Sequence, residues 1–157
     1  KALKQRQSGL SFFGLGGDMM QDCGVKLLEH TNNLAIMGFS EVLPKIFFFR
    51  KLIKKIEKAI KKNAPVAIVL IDYPGFNLKL SKKLKNSSIP IYYYIPPKVW
   101  AWRKKRVNTL KKYVDKLFVI FPFEDSLYKS EGINVEYVGN PLSQQIGKMS
   151  FKNEENT

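Results

Sequence analysis

Leu70-Ile71-Asp72-Tyr73-Pro74-Gly75-Phe76-Asn77 decides how this chain is read. An apolar run over residues 66–71 enters a carboxylate, Pro74 and Gly75 turn the chain, and helical spacing follows over 77–85. The run is continuously apolar rather than alternating, the pattern of a parallel strand covered by helices on both faces. In open parallel α/β sheets ligands bind beyond the carboxyl ends of the strands, so an acid at such an end marks a candidate site. Asp72 there could take a proton from a substrate hydroxyl. It could equally cap the helix that follows, as Asp and Asn commonly do.

Outward from this segment, strand and helix signals alternate in both directions. Upstream, residues 1–7 read as the end of a helix and 10–15 as a short strand closed by Gly14, Gly16 and Gly17. A helical turn over 18–23 ends at Gly24, a strand follows at 26–31, and Asn32 or Asn33 is placed to cap a helix from near Leu34. Over 41–62 the apolar residues Val42, Ile46, Phe49, Ile53, Ile56 and Ile60 recur at helical spacing, with Pro44 marking a break or a first turn. Downstream come strands at 91–95, 116–121 and 135–138, with helices at 103–113 and 124–130 between them. This alternation predicts an α/β, Rossmann-like three-layer parallel sheet with right-handed crossovers, forming one domain over 1–147 and a frayed polar tail over 148–157.

Composition narrows the function classes. The 157 residues and 45% hydrophobic content suffice for a packed core. With 27 Lys and Arg against 13 Asp and Glu, the net charge of +14 favours anionic partners: nucleic acid, phosphorylated metabolites or acidic lipid headgroups. Much of that charge also fits a solvated helix face (Lys51, Lys54, Lys55, Lys58, Lys61, Lys62). Cys23 is the single cysteine and His30 the single histidine, so no internal disulfide forms, no Cys/His zinc spacing exists, and a reducing compartment is expected. The expectation for metal and for cofactor is none. No run of ~18 apolar residues marks a membrane span.

Several other segments carry chemistry. The Gly14-Leu15-Gly16-Gly17 cluster lets backbone amides approach a phosphate or sugar, or simply makes a tight turn. The dinucleotide fingerprint fails, because its third glycine falls on Met19. Trp100-Ala101-Trp102-Arg103 follows the Pro96-Pro97 turn and offers ring faces for a sugar or acyl chain and a guanidinium for phosphate, with a core or interface plug as the competing role. Phe121-Pro122-Phe123-Glu124 and Val138-Gly139-Asn140-Pro141-Leu142 repeat the strand-then-turn theme on the same edge. At 42–49, three successive phenylalanines point in three directions, so at least one faces outward. Followed by seven basic residues from Arg50 to Lys62, that segment has the make-up of a bilayer-dipping surface, or of a face against another domain or a second copy of the chain in a homodimer.

Six segments, in order, resemble the N-terminal half of the lipid-A-disaccharide synthase family. They are Gly14-Leu15-Gly16-Gly17-Asp18-Met19-Met20, Leu34-Ala35-Ile36-Met37-Gly38-Phe39-Ser40-Glu41-Val42-Leu43, Ile71-Asp72-Tyr73-Pro74-Gly75-Phe76-Asn77, Val99-Trp100-Ala101-Trp102-Arg103, Phe121-Pro122-Phe123-Glu124 and Val138-Gly139-Asn140-Pro141-Leu142. The resemblance implies the N-terminal, acceptor-side domain of a GT-B glycosyltransferase of lipid A biosynthesis. Such an enzyme joins UDP-2,3-diacylglucosamine to 2,3-diacylglucosamine 1-phosphate, releasing UDP with inversion to a β-1,6 linkage and without a metal. It implies Asp72 as the catalytic base on the acceptor's 6-hydroxyl, and Gly16, Gly17, Met37, Gly38, Glu41, Asn77, Trp100, Arg103 and Asn140 as substrate-binding residues. Val42, Leu43, Ile46, Phe47 and Phe49 are then the contact with an anionic membrane surface, on the cytoplasmic side of the inner membrane, with no nucleic-acid partner.

The chain departs from the family pattern in places. Gly75 stands where many relatives carry a second acid, Lys98 replaces a small polar residue, and Asn140 replaces a common histidine. The family's first strand with its Gly-Glu-x-Ser-Gly-Asp loop and its C-terminal nucleotide-sugar domain are missing, so the chain alone is expected to be inactive. Two competitors follow: the same domain from another lipid-acceptor glycosyltransferase, and a basic α/β module for nucleic acid.

Overall fold

The computed structural model describes residues 2–36, 42–98 and 104–143. It is a mixed α/β protein whose described strands all pair in parallel, consistent with a Rossmann-like arrangement. The chain divides into two compact units, Lys1–Ala64 and Pro65–Thr157. Met37, Gly38, Glu41, Trp100 and Arg103, and the tail at 148–157, lie outside the described residues.

In the first unit, helix α1 (Ala2–Arg6) precedes strand β1 (Phe12–Gly16), a one-turn helix α2 (Asp18–Asp22) and strand β2 (Val25–His30). The two strands pair from Phe12↔Val25 to Gly16↔His30, with a register shift between Gly14 and Leu15. So short a crossover needs close approach where β1 turns into α2. A Cβ on Gly16 would sit 2.7 Å from Met20 Sδ and 3.1 Å from Leu27 Cδ2, which explains the glycine by packing alone. Helix α3 (Thr31–Ile36) begins directly at Thr31, three residues ahead of the expected start. The asparagines that were candidate caps bond elsewhere: Asn33 Nδ2 donates to Glu29 Oε1 at 2.6 Å, and the Asn32 amide donates to His30 Nδ1 at 3.2 Å.

Helix α4 (Val42–Asn63) carries Pro44 in its first turn, where the missing amide costs nothing. Leu52, Ile53, Ile56 and Ile60 form its buried stripe, and Lys51, Lys54, Lys55, Lys58, Lys61 and Lys62 are exposed, as the helical spacing requires. Lys55 Nζ reaches Glu29 Oε2 at 3.1 Å and ties the helix to β2. The Asn33 hydrogen bond first, and Lys55 second, hold the Glu29 carboxyl below its ordinary value of 4.5. Toward the N-terminal end of α4, Ile46 (43%) and Phe47 (61%) are exposed, while Phe48 and Phe49 are half-buried and meet edge-on at 5.7 Å.

The second unit is a four-stranded sheet in the order β3 (Ile68–Ile71), β4 (Ile91–Tyr94), β5 (Lys116–Val119), β6 (Val135–Tyr137), so each strand pairs with the next in sequence. Its crossovers are α5 (Pro74–Leu84), α6 (Lys104–Tyr113) and α7 (Pro122–Ser130). With consecutive strand order and right-handed connections, all three helices belong on one face. The burial agrees: Leu70, Tyr93, Leu117 and Val135 stand in register on the covered face with Ile91 and Val119. They pack with Phe76, Leu80, Leu84, Val107, Leu110 and Tyr128, which are also buried. On the opposite face Val69 (57%) and Ile71 (50%) are exposed, so among the described residues β3 is covered on one side only, against the two-sided cover that its apolar run predicts. The strand also starts at Ile68 rather than 66, because the first ladder bond runs from the Ile68 amide to Pro90 O (2.9 Å), at the threshold of β4.

Two helices start earlier than their apolar spacing indicates. α5 begins at Pro74 and α7 at Pro122, each with proline at the first helical position, where its fixed φ favours entry and its absent amide leaves no donor unmet. At the opposite end of the sheet Asp115 locks the strands together. Its Oδ2 accepts from the Ile91 amide (2.7 Å), its own amide donates to Ile91 O (2.8 Å), and its carbonyl accepts from Asn134 Nδ2 (3.2 Å).

Candidate active site at the carboxyl edge of the four-stranded sheet

The parallel strands of the second unit all end on one edge, and there the chain opens a concavity of about 390 Å³. It is lined by Asp72 from the end of β3, Ile95, Pro96 and Lys98 from the end of β4, and Ile120, Phe121 and Glu124 from the end of β5 and the start of α7. A second depression of about 330 Å³ lies at the amino ends of the strands. The carboxylate there, Asp115, is already engaged by the Ile91 amide, so the chemistry favours the carboxyl edge.

Asp72 is exposed at this rim and its carboxylate makes no hydrogen bond or ion pair among the described residues. The cap of α5 is Tyr73 and no side chain caps that helix, so Asp72 is not spent on helix capping. Its main chain is strained: φ is +44° at Asp72 and +47° at Tyr73, two successive non-glycine residues in the left-handed region. Ile95, on the same rim, also has φ +55°. Three of the four such residues among those described line or adjoin this concavity, and strain of this kind persists only where neighbouring structure enforces it.

The enforcement is visible at Asp72. The Asp72 amide donates to Tyr94 O at 3.0 Å. The Asp72 carbonyl accepts from Tyr93 Oη at 2.8 Å and from Asn77 Nδ2 at 2.6 Å, and Asn77 Nδ2 also donates to Ile71 O at 3.1 Å. Tyr93 is wholly buried and Asn77 8% exposed. Burial first, then the nearby Asp72 charge, pushes the Tyr93 phenol above its ordinary value, so it stays a proton donor well into alkaline conditions.

The far side of the rim is aromatic and basic. Tyr128 Oη, wholly buried, donates to Pro97 O at 2.6 Å and fastens the loop after β4 to α7. Phe121 and Phe123 stack at 5.7 Å, and Lys98 Nζ lies 5.9 Å from the Phe121 ring centroid. Lys98 and Phe123 are both exposed. At the end of β6, Asn140 Oδ1 accepts from the Leu142 amide at 3.0 Å and shapes a turn.

The sequence-predicted residues therefore divide. Asp72, Asn77 and Asn140 are placed in the second unit, Asp72 on the concavity and Asn77 behind it. Gly16 and Gly17 are in the first unit, at the β1–α2 turn, where Gly17 precedes a helix of only five residues. In α4, Ile46 and Phe47 are exposed and Phe49 is half-buried; the side chains of Val42 and Leu43 lie outside the described set. Sequence reasoning missed Tyr93 and the lining residues Ile95 and Ile120. The signal was the Tyr92-Tyr93-Tyr94 run, whose alternation on a strand next to β3 puts one phenol behind the Asp72 loop.

Comparison with known proteins agrees with this architecture. A family model described as lipid-A-disaccharide synthetase matches residues 1–157. The chain is 41% identical over 145 residues to a lipid-A-disaccharide synthase of Myxococcus xanthus, covering 92% of this chain and 38% of that protein. It is 38% identical over 153 residues to one from Syntrophus aciditrophicus (98% and 40%), and 37% identical over 154 residues to one from Coxiella burnetii (98% and 41%). The chain thus spans about 40% of the length of these curated relatives. On a match that runs its whole length, the chain belongs to the lipid-A-disaccharide synthetase family.

Proposed function

We propose that this chain is the acceptor-side part of an inverting glycosyltransferase of the GT-B type that makes the lipid A disaccharide. The substrates are UDP-2,3-diacylglucosamine and 2,3-diacylglucosamine 1-phosphate. The acceptor's 6-oxygen attacks the donor's anomeric carbon, the bond from that carbon to the UDP oxygen breaks with its electron pair leaving on UDP, and the hydroxyl proton passes to the Asp72 carboxylate. The observation that carries this reading is Asp72 itself: an exposed acid, not used as a cap, on a concavity at the carboxyl edge of a parallel sheet. Lys98 adds a cation on the same rim, complementary to phosphate-bearing substrates. The test is product analysis with the full-length protein and the two monosaccharides. A tetra-acyl disaccharide 1-phosphate with one equivalent of UDP is expected, and transfer to a different lipid acceptor instead would defeat the assignment.

Acylated substrates have to be met at a membrane surface, and α4 supplies the means. No helix among the described residues is long and apolar enough to cross a bilayer. Exposed Ile46 and Phe47, followed along the helix by exposed lysines, combine apolar insertion with attraction to anionic headgroups. Replacing both Ile46 and Phe47 with serine in the full-length protein is expected to weaken partitioning onto anionic vesicles by roughly tenfold. Unchanged partitioning in sedimentation would assign those side chains to a protein contact.

A further inference from the structure

We infer that Tyr93 and Asn77 are positioning residues which clamp the main-chain carbonyl of Asp72, hold Asp72 and Tyr73 in the left-handed conformation, and so aim the Asp72 carboxylate into the concavity. This inference rests on the reading of Asp72 as the base.

The geometry leaves the two side chains little else to do. Tyr93 Oη and Asn77 Nδ2 converge on one oxygen, at 2.8 and 2.6 Å, and the second amide hydrogen of Asn77 is committed to Ile71 O at 3.1 Å. Both residues are buried behind the loop rather than on the cavity wall. An L-residue with a side chain avoids φ near +45°, because its Cβ crowds the neighbouring carbonyl, and here two adjacent ones adopt it without a glycine between them. Without donors on the Asp72 carbonyl the loop would relax toward negative φ, swinging the carboxylate by enough to lose a reacting hydroxyl. The two anchors come from different parts of the fold. Asn77 belongs to the first turn of α5 and Tyr93 to the adjacent strand β4, so the loop is tied to the sheet and to the helix at once. Because burial holds the Tyr93 phenol above its ordinary value, the clamp keeps its proton through neutral and mildly alkaline conditions.

The test uses the full-length protein with Tyr93→Phe, which deletes one oxygen and keeps the ring, and Tyr73→Gly, which makes positive φ easy. Tyr93→Phe is expected to lower kcat about tenfold or more with KM changed by less than about twofold, since the ground-state contacts with substrate are untouched. Placed on top of Asp72→Asn it should add less than about a twofold further loss, because an unaimed amide is no worse than an aimed one. Adding Tyr73→Gly to Tyr93→Phe should recover most of the lost kcat. Wild-type kcat in Tyr93→Phe, or the same fold loss in the Asp72→Asn background, overturns the clamp. Should Tyr93→Phe not fold, Asn77→Ser carries the same expectation and the same overturning results. Full activity in Asp72→Asn removes the base reading and the clamp together, whereas an inactive Asp72→Asn beside a fully active Tyr93→Phe removes the clamp alone.

Discussion

Asp72→Asn in the full-length protein is expected to lower turnover by roughly a hundredfold or more, the usual scale for loss of a general base. The substitution is nearly isosteric and the carboxylate makes no hydrogen bond or ion pair among the described residues, so its removal strands no partner. The loop is held through its backbone: the Asp72 amide bonds to Tyr94 O, and the carbonyl is bonded by Tyr93 and Asn77. The melting temperature should accordingly stay within a degree or two of the parent. Steady-state kinetics with both lipid monosaccharides, beside a thermal unfolding scan, checks both halves. Turnover near that of the parent would reject the role, and a collapsed melting temperature would show that the acid is structural after all.

Leu117→Ala should produce the largest loss of stability. Leu117 is wholly buried on β5, between Tyr93 of β4 and Val135 of β6, on the face covered by the helices. Removing three side-chain carbons there loses transfer free energy and leaves a cavity that strands paired on both sides cannot close, for a cost of about 2–5 kcal/mol. Val69→Ala, on the exposed side of the edge strand β3, should cost less than about 1 kcal/mol. Urea unfolding of the two variants measures the contrast. A similar cost for both would mean that the exposed face of β3 is covered in the full-length protein.

The elements were legible because apolar periodicity survives in this lysine-rich sequence. Ile53, Ile56 and Ile60 of α4 are spaced for a helix and are buried as a stripe, and each expected strand of the four-stranded sheet is present within a few residues. Boundaries were less legible where proline starts a helix: Pro74 and Pro122 read as turn residues but open α5 and α7. Asp72 could be placed at a strand end from the order of residue types, whereas its freedom from capping could not, because that depends on Tyr73 taking the cap position. The strained dihedrals were invisible. Asp72 carries only the mild left-handed tolerance of its type and Tyr73 none, and one of the donors that hold the Asp72 carbonyl is a tyrosine on a neighbouring strand, 21 residues away in sequence.

The order β3-β4-β5-β6 has a consequence for biosynthesis. Because every strand docks on the one made just before it, each closure spans a single helical crossover and waits for no distant segment, which limits its loop-closure cost. The ribosome can therefore release this sheet one ribbon at a time, and the rim bearing Asp72 is complete once the third ribbon and the first turn of α7 have emerged.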